Sequence, residues 1–342
     1  MKRAELVFER PEGTFAHEPP EVRGRGRDDV RLLVTRPDGH HHARFDDLPQ
    51  FLREGDLLVV NESAAIPASL PAQGRVGSIL LNLCTRFRSD LWIAEPRWSA
   101  GKPGPLPVEP DEVLRIGSAT VQLLAPYPGI PRLWFASADR PFESLIAKHG
   151  GPIHYGYTDA WPMDTYQTLF SRVPGSAEMP SAARPITTRV RKRLEEAGVR
   201  TAPVLLHTGV SSLEIETETV GGQAMYPEPF AVSSETADAV NRTHASGGRV
   251  IAVGTTVVRA LESAWTPEGL RARGGFTRLF VNPDRGIHAI DGLLTGFHDP
   301  VTSHLALLTT FLGIDGVRDA YAAAIRAGYR WHEFGDSHLV LR

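Results

Sequence analysis

Residues 250–263, VIAVGTTVVRALES, constrain the fold more than any other stretch of the chain. An apolar, mostly β-branched run (Val250, Ile251, Val253) stops at Gly254, two threonines follow, and a helix-period pattern begins. That order predicts a buried strand, a tight turn and a helix whose first turn is capped by Thr255 or Thr256. The first N–H groups of a helix have no partner within it, so such a turn suits a carboxylate or a phosphate. Taken alone, the same residues also read as an ordinary structural turn.

At 342 residues the chain is long enough for two domains, each with its own core. A net charge of −3 gives no global basic field for nucleic acid, although a few placed cations suffice for an RNA contact. The single cysteine, Cys84, lies in the apolar run ILLNLC. It excludes an intrachain disulfide and a thiolate zinc site, and reads as a core residue. The N-terminal MKRAELVFERPEG has no apolar signal core, and no apolar run approaches the length of a membrane span. A soluble cytoplasmic protein is expected, without membrane contact.

Residues 1–27 are polar and rich in Pro and Gly, so they should wrap over a surface. RLLVT at 31–35, the Pro37-Asp38-Gly39 turn and the following residues predict a hairpin. His40, His41 and His42 sit on its second arm; adjacent strand residues face opposite ways and cannot converge on one metal ion. Between 68 and 134 short runs (78–83, 91–94, 113–116, 120–124, 133–136) alternate with Gly and Pro clusters, the spacing of a small antiparallel barrel or sandwich. Pro96 to Pro110, with five prolines, reads as a long irregular loop. Helices are expected at 142–149, 187–197, 234–245, 257–265, 302–312 and 314–327, and strands at 56–60, 204–207, 249–253 and 277–280. The fold class is therefore mixed α/β. A main domain, 1–67 with 141–342, is interrupted by an inserted β-barrel at 68–140.

Polar clusters mark the ends of these elements: Asn61-Glu62-Ser63, His207-Thr208-Gly209, Gly254-Thr255-Thr256, Phe297-His298-Asp299-Pro300 and Gly335-Asp336. In open α/β sheets ligands bind beyond the carboxyl ends of strands, so several such ends together are a stronger signal than any one. With Phe45-Asp46-Asp47-Leu48-Pro49, Gly55-Asp56-Leu57-Leu58-Val59-Val60-Asn61, Tyr166-Gln167-Thr168, Asp291-Gly292-Leu293 and Gly328-Tyr329-Arg330, these segments follow one another along most of the chain. In that order they resemble the S-adenosylmethionine:tRNA ribosyltransferase-isomerase family of queuosine biosynthesis. The resemblance has gaps. A family Pro-Thr-Ala-Gly-Leu-His-Phe run is Pro180-Ser181-Ala182-Ala183-Arg184-Pro185-Ile186 here, with proline at the histidine position. A His-x-Met-His-x-Glu segment is Gln223-Ala224-Met225-Tyr226-Pro227-Glu228, and Ser63-Ala64 replaces Thr-Arg.

The resemblance implies that the ribosyl unit of S-adenosylmethionine is transferred to 7-aminomethyl-7-deazaguanine in tRNA and isomerised, with adenine and methionine released. Such chemistry needs a base for the carbon beside the sulfonium, and a side chain with a pKa near neutral suffices. His207 and His298 are the candidate bases, with Asp336 orienting or protonating one of them. Asn61, Thr208, Gly254, Thr255, Thr256 and Arg259 are candidates for holding the donor, the helix start taking its carboxylate. Phe297, Tyr329 or Trp331 could face the sulfonium through cation–π attraction; core packing is the alternative for these rings. No metal is required. A monomer or weak oligomer is expected, with S-adenosylmethionine and tRNA as partners. A paralogue using the same donor on a small acceptor, or a non-catalytic binding relative, remains open at this point.

Overall fold

The structure, a computed structural model, describes residues 1–99, 106–210 and 213–342. Nine strands form one mixed sheet in the spatial order Arg273–Thr277, Glu228–Val232, Arg200–Leu206, Leu57–Asn61, Val250–Val253, Gly292–Gly296, Ser337–Leu341, Arg31–Arg36 and Gly39–Arg44. The four strands from Arg200–Leu206 to Gly292–Gly296 run parallel. Ser337–Leu341 then turns antiparallel to its neighbour, and Arg31–Arg36 runs parallel to it. Central strands covered on both faces need apolar residues on both, which is why LLVVN and VIAV do not alternate.

Alternate residues feed two cores. Leu57, Val59, Val250 and Ala252 join one core with Val257, Val258 and Leu261 of the Thr255–Ala264 helix and with the Ser303–Arg326 helix. Leu58, Val60, Ile251 and Val253 join the other, closed by Val190 and Leu194 of the Thr188–Glu196 helix.

Six antiparallel strands between Ser69 and Ala138 close into a barrel. Its interior is filled by Leu70, Leu81, Ile93, Leu114, Val121 and Leu133, and Val210, Leu213 and Tyr226 join the same core. The barrel therefore sits against the carboxyl end of the Arg200–Leu206 strand, where the Leu206-His207-Thr208 run leaves the sheet.

The mixed α/β class with an inserted barrel is borne out, and several details are corrected. The strand expected at 277–280 lies earlier, at Arg273–Thr277, because Gly274 and Gly275 are accommodated on the sheet edge against Ala231 and Phe230. Glu228–Val232, Gly292–Gly296 and Ser337–Leu341 are strands that short runs beside Pro, Gly and Asp concealed. Pro96 is not loop: Leu91–Trp98 continues through it opposite Leu81, and part of the expected loop lies outside the described residues. Among the described residues no helix is long and apolar enough to cross a membrane.

Asp56 fastens the amino-terminal end of the central strands. Fully buried, it accepts from the backbone N–H of Arg53 (3.0 Å) and Arg249 (3.1 Å) and from Arg249 Nη2 (2.6 Å). Burial opposes its charge, but the hydrogen bonds from Arg249 and Arg53 prevail and hold its pKa below the ordinary carboxylate value. Its stabilisation is thus complete above the unfolded-state pKa, about 3.9, and is lost as pH falls through the lower folded value. Asp56→Ala should cost about 3–5 kcal/mol in urea unfolding at pH 7, and the gap to wild type should close below about pH 4.

Candidate active site

The turn after Val250–Val253 is built on Gly254, whose φ of +98° favours glycine. Gly254 is the N-cap residue, so Thr255 and Thr256 are the first two helical residues and neither caps the helix as expected. Three other helices are closed by the side chains of Thr187, Ser233 and Thr302, whereas this one has no side-chain cap. One turn along, Arg259 reaches back toward the same opening. Its Nε donates to Leu279 O (2.9 Å) and its Nη1 to Glu228. Its Nη2 is buried with no hydrogen-bond partner, and so is Thr208 Oγ1. Thr208, Thr255, Thr256, Arg259, Glu228 and His304 line one small pocket. Two unmatched polar groups and an uncapped helix start make it a receptor for an anion with oxygen acceptors.

His304 also lines a larger neighbouring cavity of about 530 Å³. His298 stands on that wall with its ring 4.7 Å from the His304 ring. Thr295 Oγ1 lies 2.9 Å from His298 Nε2, and the His298 backbone N–H donates to Tyr321 Oη (3.1 Å). Burial first, then the neighbouring His304, holds His298 well below the ordinary histidine pKa. Burial likewise pushes His304 down to about 4. Both rings are neutral at physiological pH and can accept a proton. The same cavity is lined by the rings of Phe15, Tyr155, Tyr157 and His332 and by the carboxyls of Glu178 and Glu333.

Of the remaining candidates Phe297 also lines the larger cavity, whereas Asn61, His207, Asp336 and Tyr329 line neither pocket. Asn61, fully buried, donates to Leu206 O (2.8 Å) and Thr256 Oγ1 (3.3 Å) and accepts from the N–H of Leu206 and Ser63 (3.1 Å each). Its carboxamide is saturated and holds strand ends rather than a ligand. His207 Nδ1 lies 2.7 Å from Ser63 Oγ, which in turn contacts Ser176 Oγ at 2.7 Å. The Asp336 carboxylate accepts from the backbone N–H of Arg31 (2.7 Å) and Arg330 (2.8 Å) and from the Arg31 guanidinium, and neither His207 nor His298 is its partner. The Phe297 ring packs against Tyr321, Tyr329, Trp331 and His338. Tyr329 is buried, donates to Leu32 O (3.2 Å) and lies under the Arg31 guanidinium. These contacts pack both rings among core residues, and Phe297 borders the larger cavity as well.

Sequence reasoning missed His304, Glu178, Glu333 and the ring cluster. The one legible signal was His304, six residues after His298 and just inside a helix capped by Thr302. Phe15, Tyr155, Glu178 and Glu333 come from irregular segments far apart in the chain, where no periodicity reports convergence.

This architecture defines a mixed α/β protein with an inserted barrel and polar pockets at the carboxyl ends of its sheet strands. The chain belongs to the family described as queuosine biosynthesis protein, which it matches over residues 3–340. It is 36% identical over 351 residues to the S-adenosylmethionine:tRNA ribosyltransferase-isomerase of Moorella thermoacetica, with 100% of both chains covered. It is 38% identical to that of Rubrobacter xylanophilus over 345 residues, covering 100% of this chain and 98% of the relative. The crystal structure of the S-adenosylmethionine tRNA ribosyltransferase of Thermotoga maritima superposes with a TM-score of 0.56 at 27% identity, covering 98% of this chain and 100% of that one.

Asn61→Ala strips partners from the buried Leu206 amide and carbonyl. It should lower unfolding free energy by roughly 2 kcal/mol or more in urea titration, because unmatched buried backbone groups cost about 1–3 kcal/mol each. Unchanged stability would show that Asn61 does not hold the strand ends.

Proposed function

We propose that this chain is an S-adenosylmethionine:tRNA ribosyltransferase-isomerase, acting on 7-aminomethyl-7-deazaguanine in tRNA. The observation that carries the reading is the pocket at Gly254–Arg259: its unmatched donors suit the carboxylate of a methionine-bearing donor, and it adjoins a cavity roomy enough for a second substrate. Full-length similarity to relatives of that name supports it. Arg259 Nη2, the Thr208 hydroxyl and the N–H groups of Thr255 and Thr256 bind the carboxylate. This fixes the sulfonium end of the donor near the junction marked by His304.

There the reaction begins with loss of a proton from the carbon beside the positive sulfur. The neutral imidazole of His298 is the base we assign, with His304 beside it. Burial keeps it unprotonated throughout the physiological range, so its ring is available to accept a proton. No metal enters these steps. We place the protein in the cytoplasm as a monomer or weak oligomer. Residues 68–140 form an inserted barrel domain, and 1–67 with 141–342 a discontinuous main domain.

Incubation with S-adenosylmethionine and precursor-bearing tRNA should release adenine and methionine; no release from folded protein would refute the proposal. Arg259→Lys keeps a charge beside Glu228 but loses the second guanidinium donor. It should raise KM for S-adenosylmethionine about tenfold, the worth of one charge-assisted hydrogen bond. His298→Gln should lower kcat by about 100-fold or more and leave donor affinity by calorimetry unchanged. Because His298 charges only well below pH 6.5, wild-type activity should show no loss from this group between pH 8 and 6.5.

A further inference from the structure

The cavity beyond His304 is chemically unlike the pocket that receives the carboxylate. Phe15 and Tyr157 stack with centroids 4.8 Å apart and planes 5° from parallel. His332 lies 4.9 Å from Phe15 and 4.8 Å from Tyr157, at 18° and 23°. Asp299 fixes the His332 ring through Nε2 at 3.0 Å, and the residue adopts a φ of +71°, a conformation few non-glycine residues take. The result is a bank of near-parallel rings, with the Arg10 guanidinium 3.7 Å over Phe15, lining a volume within the range of small-molecule sites.

Two carboxyls line the same cavity. Glu178 accepts from the Tyr155 hydroxyl. Glu333 Oε2 is buried and has no hydrogen-bond partner. Among the other acids of the cavity, Glu95 is paired with Arg132 and Arg97, Asp299 with Arg10, and Glu214 with Arg3. Burial, reinforced by Glu178 and opposed by Arg184, pushes Glu333 up to about 8, so it carries a proton at neutral pH until a cation displaces it.

We propose that this cavity is the acceptor subsite: it takes a flat heteroaromatic ring bearing a primary amine, stacks the ring on Phe15, Tyr157 and His332, and seats the amine at Glu178 and Glu333, where Glu333 removes its proton. The inference rests on the function proposed above. It adds where the amine-bearing base binds and which residue makes the amine nucleophilic. The acceptor arrives as an ammonium ion and displaces the Glu333 proton into solvent. One N–H bond of the ammonium then breaks as an O–H bond forms on the Glu333 carboxylate. The products are a neutral amine with its lone pair free and a neutral carboxylic acid, one proton having passed to water. The donor's anionic end and the acceptor's cationic end are thus held by groups of opposite charge on either side of His304.

The test compares the affinity of wild type and Glu333→Gln for two tRNAs, one carrying the aminomethyl-deazaguanine and one carrying guanine at that position. It is accompanied by pH profiles of adenine release. Wild type should favour the amine-bearing tRNA at least tenfold, and its profile should report a group near pH 8. Glu333→Gln should lose both the preference and that limb of the profile, with S-adenosylmethionine affinity within twofold of wild type. Glu178→Gln should lose the preference from the other side of the pair, and Tyr157→Leu should weaken both tRNAs alike. If wild type releases adenine while Glu333→Gln and Glu178→Gln keep the preference and the profile, the subsite assignment falls and the function stands. If wild type releases none, both fall.

Discussion

The carboxamide of Asn61 is the interaction on which the site depends. It joins the end of one central strand to the backbone of Leu206 at the end of the next, and to the Thr256 hydroxyl at the helix start beyond Gly254. Thr208 follows Leu206 by two residues and Arg259 follows Thr256 by three, so one buried side chain sets the spacing of the groups that line the small pocket. Asp56 does the corresponding work at the amino-terminal end, holding Arg249 and with it the strand that leads to Gly254. A pocket whose parts come from parallel strands needs such fasteners, because each strand end is otherwise free to fray.

What the sequence disclosed followed a physical rule. The strand, turn and helix at 250–263, the helices at 142–149 and 234–245, and the barrel strands were readable because their signals are local: a run, a breaker, a cap. Arg273–Thr277 was displaced by several residues in the reading because an edge strand containing Gly274 and Gly275 owes its existence to its partner rather than to its own residues. The same holds for the site. Thr208, Thr255, Thr256, Arg259 and His298 were named from strand ends and lie around the joined pockets. Asp336 was named by the same reasoning and is bound instead to Arg31, 305 residues away. A polar residue at a strand end can serve a ligand or a distant backbone, and nothing near it in the sequence distinguishes the two.

The departures from the family pattern also acquire a physical account. Tyr226, where a histidine is expected, is buried with its hydroxyl donating to Val210 O (2.8 Å) and lying 3.3 Å from Glu228 Oε1. A Cβ on Gly209 would come within 2.7 Å of that hydroxyl, so the glycine and the tyrosine are matched to each other. Glu228, also gripped by the Gly209 N–H (2.9 Å), keeps its bond to Arg259. The substitution therefore removes a titratable ring while leaving the Glu228–Arg259 support of the small pocket intact.

Titratable side chains remain along the larger cavity, and their protonation states differ. His298 and His304 are kept neutral by burial, whereas burial near Glu178 keeps Glu333 protonated, so at neutral pH a base and an acid face the same cavity. Burial drives both shifts, since it disfavours the charged form of either kind of group. Taking a proton from carbon falls to a neutral imidazole, whereas in the proposed subsite Glu333 takes one from the amine only after the bound ammonium has displaced its own. In the proposed subsite the rings of Phe15, Tyr157 and His332 offer the stacking face, while burial holds His298 neutral and Glu333 protonated at the same pH.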